Sequence, residues 1–112
     1  TVLDNVTASA FCRVNTIKEA KDEALRVLGF CNLLNEKDKP AKSLPIGGRK
    51  RLEIARALAT KPELLLLDEP TAGMSAQETH QTIGLIGRIT REKGLTLLFT
   101  EHDMEVVFSV SE

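Results

Sequence analysis

Long apolar runs are missing from this 112-residue chain. The longest, Leu64 to Leu67, falls far short of the roughly 20 residues that cross a bilayer as a helix. Thr1-Val2-Leu3-Asp4 has neither the basic start nor the apolar centre of a secretory signal. If the protein works at a membrane, another subunit must bring it there. An excess of one charge is also missing. A net charge of −1 gives no electrostatic reason to expect nucleic acid or anionic lipid as the main partner. Cysteine is scarce: Cys12 and Cys31 are too far apart for a CxxC redox or zinc motif and read as reduced thiols of a cytosolic protein. No internal repeat or low-complexity tract is visible. What is present is the composition of a soluble globular protein, 42% hydrophobic and 28% charged, in a chain able to bury roughly two-thirds of its unfolded surface.

Residues 1–43 read as helical. Thr16-Ile17-Lys18-Glu19 has the form of a capping box, and Ile17, Ala20, Ala24, Val27, Leu28 and Cys31 then recur at helical spacing, with Gly29 as a stop signal. The polar stretch from Leu34 to Pro45 predicts a solvated loop. A further helix is expected from Gly48 to Thr60, burying Leu52, Ala55, Leu58 and Ala59, and ended by Lys61-Pro62 because proline disfavours helical backbone in the residue before it. Leu64 to Leu67 is apolar at every position and fits a helix or a buried strand; its place between Pro62 and Asp68-Glu69-Pro70 decides for strand. A helix is predicted over 76–92 with Thr79, Ile83, Ile86 and Ile89 inward, despite Gly84 and Gly87, and Gly94 ends it. Leu95 to Phe99 is a second strand, and strand, helix, strand makes a right-handed βαβ unit with parallel strands.

In open α/β sheets ligands bind beyond the carboxyl ends of the strands. There the chain carries Asp68 and Glu69 after the first strand, and Glu101 and His102 after the second. An acidic pair and an imidazole on one sheet edge can hold a hard cation and handle protons. His80 reads as an exposed helix residue, and Arg49, Lys50, Arg51 and Arg56 as a solvated basic cluster.

Three segments together resemble the ATP-binding-cassette (ABC) ATPases. Leu64-Leu65-Leu66-Leu67-Asp68-Glu69, continued by Pro70-Thr71, is similar to their Walker B strand, and His102 to their switch histidine. Leu44-Pro45-Ile46-Gly47-Gly48 stands where the family has its signature loop, usually Leu-Ser-Gly-Gly-Gln, and Leu52-Glu53-Ile54-Ala55-Arg56-Ala57-Leu58 continues the pattern without a gap. Pro45 replaces the serine, Ile46 a glycine and Gly48 the glutamine. Met74-Ser75 falls at the dimer-contact loop, where the family normally ends in aspartate.

The resemblance implies an α/β fold, a P-loop NTPase-like three-layer fragment with parallel strands. Residues 1–43 would be its helical subdomain, and residues 44–112 the signature, Walker B, dimer-contact and switch-histidine part of the core. It implies ATP and Mg²⁺ as ligands. Asp68 would help hold Mg²⁺ through water, Glu69 would orient or deprotonate the attacking water, and His102 would hydrogen-bond the γ-phosphate. Leu44, Pro45, Ile46, Gly47 and Gly48, with Ser75, would meet ATP bound on a second ABC ATPase subunit, the same or a different chain. Transmembrane permease subunits would hold the protein peripherally on the cytoplasmic face of the plasma membrane, and no nucleic acid is expected.

No Gly-x-x-x-x-Gly-Lys-Ser/Thr loop occurs, since none of the seven glycines is followed by lysine. With Thr1 at one end and Ser111-Glu112 at the other, the expectation is a fragment holding the later half of the family's domain, inactive alone. Leu44-Pro45-x-Gly47, Arg51-Leu52-Glu53-Ile54-Ala55, Ala72-Gly73-Met74, Gln77-Glu78-Thr79 and Glu101-His102-Asp103-Met104 resemble the branched-chain amino-acid importer ATPases. Urea and lipopolysaccharide transport ATPases share much of this pattern. A soluble ABC ATPase of DNA repair or translation, or a catalytically inert fragment, are the alternatives.

Overall fold

The structure, a computed structural model, describes residues 1–92 and 95–100. It is mixed α/β, mostly helical with a small parallel sheet, and forms two compact units that divide after Pro62. The first contains helices α1 (Val2–Ala10), α2 (Ile17–Phe30) and α3 (Ile46–Ala59), which pack against one another pairwise.

Helix α1 begins with a reciprocal cap between Thr1 and Asp4 and buries Val2, Val6 and Ala10, spaced four apart along one face. Its first amides donate out of the helix, Val2 to the Lys39 carbonyl and Leu3 to that of Lys37, both at 2.9 Å. These bonds satisfy donors that a helix start leaves over, and they fasten the segment expected to be a solvated loop. That segment also holds 3-10 turns at Leu34–Glu36 and Ala41–Ser43.

Thr16 caps α2, its hydroxyl accepting from the Glu19 amide at 3.1 Å, which is one half of the expected capping box. Ala20, Ala24, Val27 and Leu28 are buried, but Ile17, in the first turn, is 64% exposed. Gly29 does not stop the helix. Asn32 does, with φ at 59°, its amide on the Gly29 carbonyl and the Leu33 amide on that of Leu28 at 2.8 Å. This is a Schellman ending with asparagine in the left-handed position. Leu28 and Leu33, which close it, are fully buried and contribute about 1.5–3 kcal/mol each.

Helix α3 starts two residues earlier than predicted, at Ile46, with extended Pro45 as its cap residue. Proline fixes its own φ but does not hinder helix in the residues after it. Leu52, Ala55, Leu58 and Ala59 are buried as expected, with Ile54 in addition. Lys61 takes φ 52° before Pro62, which ends the helix. The Arg13 Nε donates to the Thr60 carbonyl at 2.7 Å, placing a cation at the negative end of α3.

The second unit contains β1 (Leu64–Asp68), α4 (Ala76–Glu92) and β2 (Thr96–Thr100). The strands are parallel and in register from Leu64 opposite Thr96 to Asp68 opposite Thr100. Strand β1 is not buried on both faces, as its composition had suggested. Leu65 is buried, whereas Leu66 is 68% exposed and Leu64 and Leu98 are exposed beside it. Side chains alternate across a sheet, so one face of this strand pair is apolar and open. On α4 the buried residues are Thr82, Leu85, Ile86 and Ile89; Thr79 and Ile83 are half-buried. Ile86 and Ile89 are thus inward as expected, while Thr82 and Leu85 are buried in place of Thr79 and Ile83. Gly94 lies outside the described residues. The division after Ser43 proposed from the sequence concerns roles in a whole ATPase domain and stays a proposal.

Candidate functional site

Parallel pairing brings the carboxyl ends of β1 and β2 to one edge, where Asp68 is the last residue of β1 and Thr100 of β2. The Thr100 hydroxyl donates to Asp68 Oδ1 at 2.6 Å. The Glu69 amide donates to the Thr100 carbonyl at 2.9 Å and to its hydroxyl oxygen at 3.1 Å. Glu69 itself sits at φ 45°, in left-handed backbone, costing roughly 1–2 kcal/mol for a residue with a Cβ. That turn lifts the second carboxylate out of the strand's alternation. Asp68 is exposed and Glu69 half-buried, so both carboxylates can reach a ligand from solvent. Beneath them Pro70 is fully buried and Thr71 nearly so.

Two short turns follow, the Ala72 amide bonding the Glu69 carbonyl and the Met74 amide that of Thr71. Gly73, at φ 76°, supplies the left-handed backbone within the second. Met74 accepts a 3.3 Å hydrogen bond on Sδ from the hydroxyl of buried Thr82, tying this loop to α4. Ser75 starts α4 in a capping box: its hydroxyl accepts from the Glu78 amide at 3.2 Å while the Glu78 carboxylate accepts from the Ser75 amide at 3.4 Å. Glu101 and His102 lie outside the described residues; Asp68 and Glu69 are the candidate catalytic and metal residues for which the structure gives a geometry.

Leu44, Pro45, Ile46, Gly47 and Gly48 belong to the first unit. Leu44, Gly47 and Gly48 are buried and Ile46 is exposed. The first intrahelical bond of α3 is the one from the Arg49 amide to the Pro45 carbonyl, at 2.9 Å, so residues 46–48 form the helix's first turn and its positive dipole end. A Cβ on Gly48 would come within 3.2 Å of Leu44 Cβ, which ties the glycine to the close packing of Leu44. Arg49 is not simply solvated. Its Nε donates to the Leu44 carbonyl at 3.0 Å and its Nη2 to that of Lys42 at 2.9 Å. Lys50 pairs with Glu53 at 3.5 Å, as expected of a surface charge. His80 is exposed, as expected.

Among the described residues no group of three or more His, Cys, Asp or Glu could enclose a metal. An acidic pair on an exposed edge suits Mg²⁺, which keeps most of its water and takes only one or two carboxylates, the rest coming from phosphate. Thr100 was not singled out by sequence reasoning. The one available signal was a hydroxyl in strand register with an aspartate, visible only once the pairing is known. The Ser75-x-x-Glu78 cap was legible in the sequence and went unread.

The sequence model of the ABC transporter family matches residues 1–72. LivG of Escherichia coli (strain K12), a high-affinity branched-chain amino acid transport ATP-binding protein, is 40% identical over 94 residues, 84% of this chain and 37% of LivG. The chain belongs to the ABC transporter family. BraF of Pseudomonas aeruginosa, whose description has the same wording, is likewise 40% identical, over 85% of this chain and 37% of its own. This ABC family member thus spans little more than a third of these relatives' length. Its fold matches ABC cassettes, among them the dimeric post-hydrolysis state of the ATP-binding cassette MJ0796 bound to ADP and Pi. That match has a TM-score of 0.82 at 26% identity and covers 98% of this chain and 49% of the other. Among the described residues no helix is long and apolar enough to cross a membrane.

Proposed function

We propose that this chain is part of an ATP-hydrolysing ABC subunit that powers the import of branched-chain amino acids. The observation that carries the reading is the pair Asp68 and Glu69 closing β1, on the edge where the parallel strand β2 also ends. The likeness to LivG and BraF supports the choice of cargo. ATP would lie along this edge. Asp68 holds the hydrated Mg²⁺, which when bound neutralises charge on the β- and γ-phosphates. Glu69 orients or deprotonates the attacking water, a contribution of about 10²–10⁴-fold. His102 donates a hydrogen bond to the γ-phosphate, stabilising the charge on the transferred group.

The first turn of α3, residues 44–48, presents backbone N–H groups and the positive helix end to ATP held by a second ABC subunit. Ser75 lies in the loop that contacts that subunit, at the start of α4. Phosphate-loop residues, absent from this sequence, come from the remainder of the domain. Permease subunits hold the assembly at the cytoplasmic face of the plasma membrane. Residues 1–43 are the helical subdomain facing them.

The test is reconstitution of the full-length protein with its permease subunits in vesicles. Leucine, isoleucine or valine, delivered by the cognate binding protein, should stimulate ATP hydrolysis and accumulate inside. Hydrolysis unaffected by these amino acids would remove the assigned cargo, and no hydrolysis at all would remove the ATPase reading.

A further inference from the structure

The Thr100 hydroxyl has two partners at the end of the neighbouring strand, and they use it in opposite senses. It accepts from the Glu69 amide at 3.1 Å and donates its only proton to Asp68 Oδ1 at 2.6 Å. The second separation is in the range of O–H bonds to an ionised carboxylate, which are about twice as strong as neutral ones. The Glu69 amide is shared between this hydroxyl and the Thr100 carbonyl at 2.9 Å, and it belongs to the residue in left-handed backbone. One side chain on β2 therefore holds both the carboxylate that ends β1 and the strained residue that follows it, 32 and 31 positions earlier in the sequence.

We propose that Thr100 is a positioning residue for the acidic pair. By engaging Oδ1 it fixes the rotation of the Asp68 carboxylate and leaves Oδ2 for the water shell of a divalent cation. By engaging the Glu69 amide it holds the backbone turn that sets the direction in which the Glu69 side chain leaves the strand. A freely rotating aspartate must lose that rotation when the cation binds; one already held does not, and such preorganisation raises affinity without a new contact. Valine in place of Thr100 keeps the branched shape and strand preference while removing the hydroxyl. Serine keeps the hydroxyl and loses only the methyl group.

This inference rests on the reading of Asp68 as the Mg²⁺ carboxylate, and the experiment separates the two. In the full-length protein with bound nucleotide, Mn²⁺ affinity is measured by electron paramagnetic resonance for the unchanged protein, Thr100→Val and Thr100→Ser. Turnover is followed against Mg²⁺ concentration in parallel. Thr100→Val should need about 5- to 10-fold more cation for half-saturation, with metal-free nucleotide affinity within about twofold, and Thr100→Ser should restore it. If valine disturbs folding, as read by circular dichroism, Thr100→Ala carries the same expectation. Equal cation affinity in the hydroxyl-free variant and the unchanged protein would overturn the positioning role. A loss of cation affinity in Asp68→Asn but not in Thr100→Val would leave the Asp68 reading standing and remove only Thr100. Unaltered affinity in Asp68→Asn would remove both.

Discussion

Arg49 reaches back along the chain and donates through Nε to the carbonyl of Leu44 at 3.0 Å. With its Nη2 on the Lys42 carbonyl, one guanidinium spans the 3-10 turn and the cap of α3, fixing the approach to the segment 44–48. Arg49→Met keeps the alkyl stem and deletes both bonds, which in this exposed setting should lower stability by about 1 kcal/mol. Arg49→Lys should not restore it, since an ammonium cannot fork between two carbonyls set by a planar group. Urea denaturation reads the effect, and an unmoved midpoint in Arg49→Met would show that the two bonds contribute nothing.

Glu69→Gln keeps the size of the side chain and the turn that carries it but removes the carboxylate to which the base role is assigned. In the full-length protein nucleotide binding should persist while turnover falls by roughly 10²-fold or more. Single-turnover hydrolysis beside equilibrium binding of ATP separates the two effects. Near-normal turnover would remove Glu69 from its assigned role.

Ser75 and Glu78 cap α4 reciprocally. Ser75→Ala should cost about 0.5–2 kcal/mol, and Ser75→Ala combined with Glu78→Ala should cost less than the sum of the single changes, because each removes the other's partner. Additive losses in thermal or urea unfolding would mean that the two side chains act independently. Ser75→Asp, which also caps well, should leave stability nearly unchanged.

The helices were largely legible because their buried positions repeat: Ala20, Ala24, Val27 and Leu28 in α2, and Leu52, Ala55, Leu58 and Ala59 in α3. Their ends were less so. Gly29 looked like the stop of α2, yet Asn32 takes the left-handed turn, a conformation that asparagine tolerates and that spacing alone does not reveal. Ile17 looked inward because periodicity counts an apolar residue in the first turn, where the helix has not yet met its neighbours. Asp68 and Glu69 were legible from an apolar run followed by acids. Thr100 was not, since its role depends on a strand register set by residues about thirty positions away. The second strand was expected one residue early, at Leu95 to Phe99. That shift would have moved Thr100 off the ladder and hidden its pairing with Asp68.

Leu66 and Leu98 lie opposite each other on the exposed apolar face of the strand pair. Open apolar faces and unpaired strand edges promote association. The 112-residue chain prepared alone should therefore aggregate at high concentration, and Leu66→Lys with Leu98→Glu should reduce this while leaving the β1–β2 register intact. Light scattering decides: a monodisperse monomer from the unchanged chain would contradict the expectation.

The left-handed backbone at Glu69 sets the local fold and the proposed chemistry against each other. A glycine there would relax the main chain and delete the carboxylate in the same stroke, so the sturdiest version of this loop would be a silent one. Selection for robustness alone would drift toward that outcome, so the role proposed for this carboxylate is one that the main chain bears at its own expense.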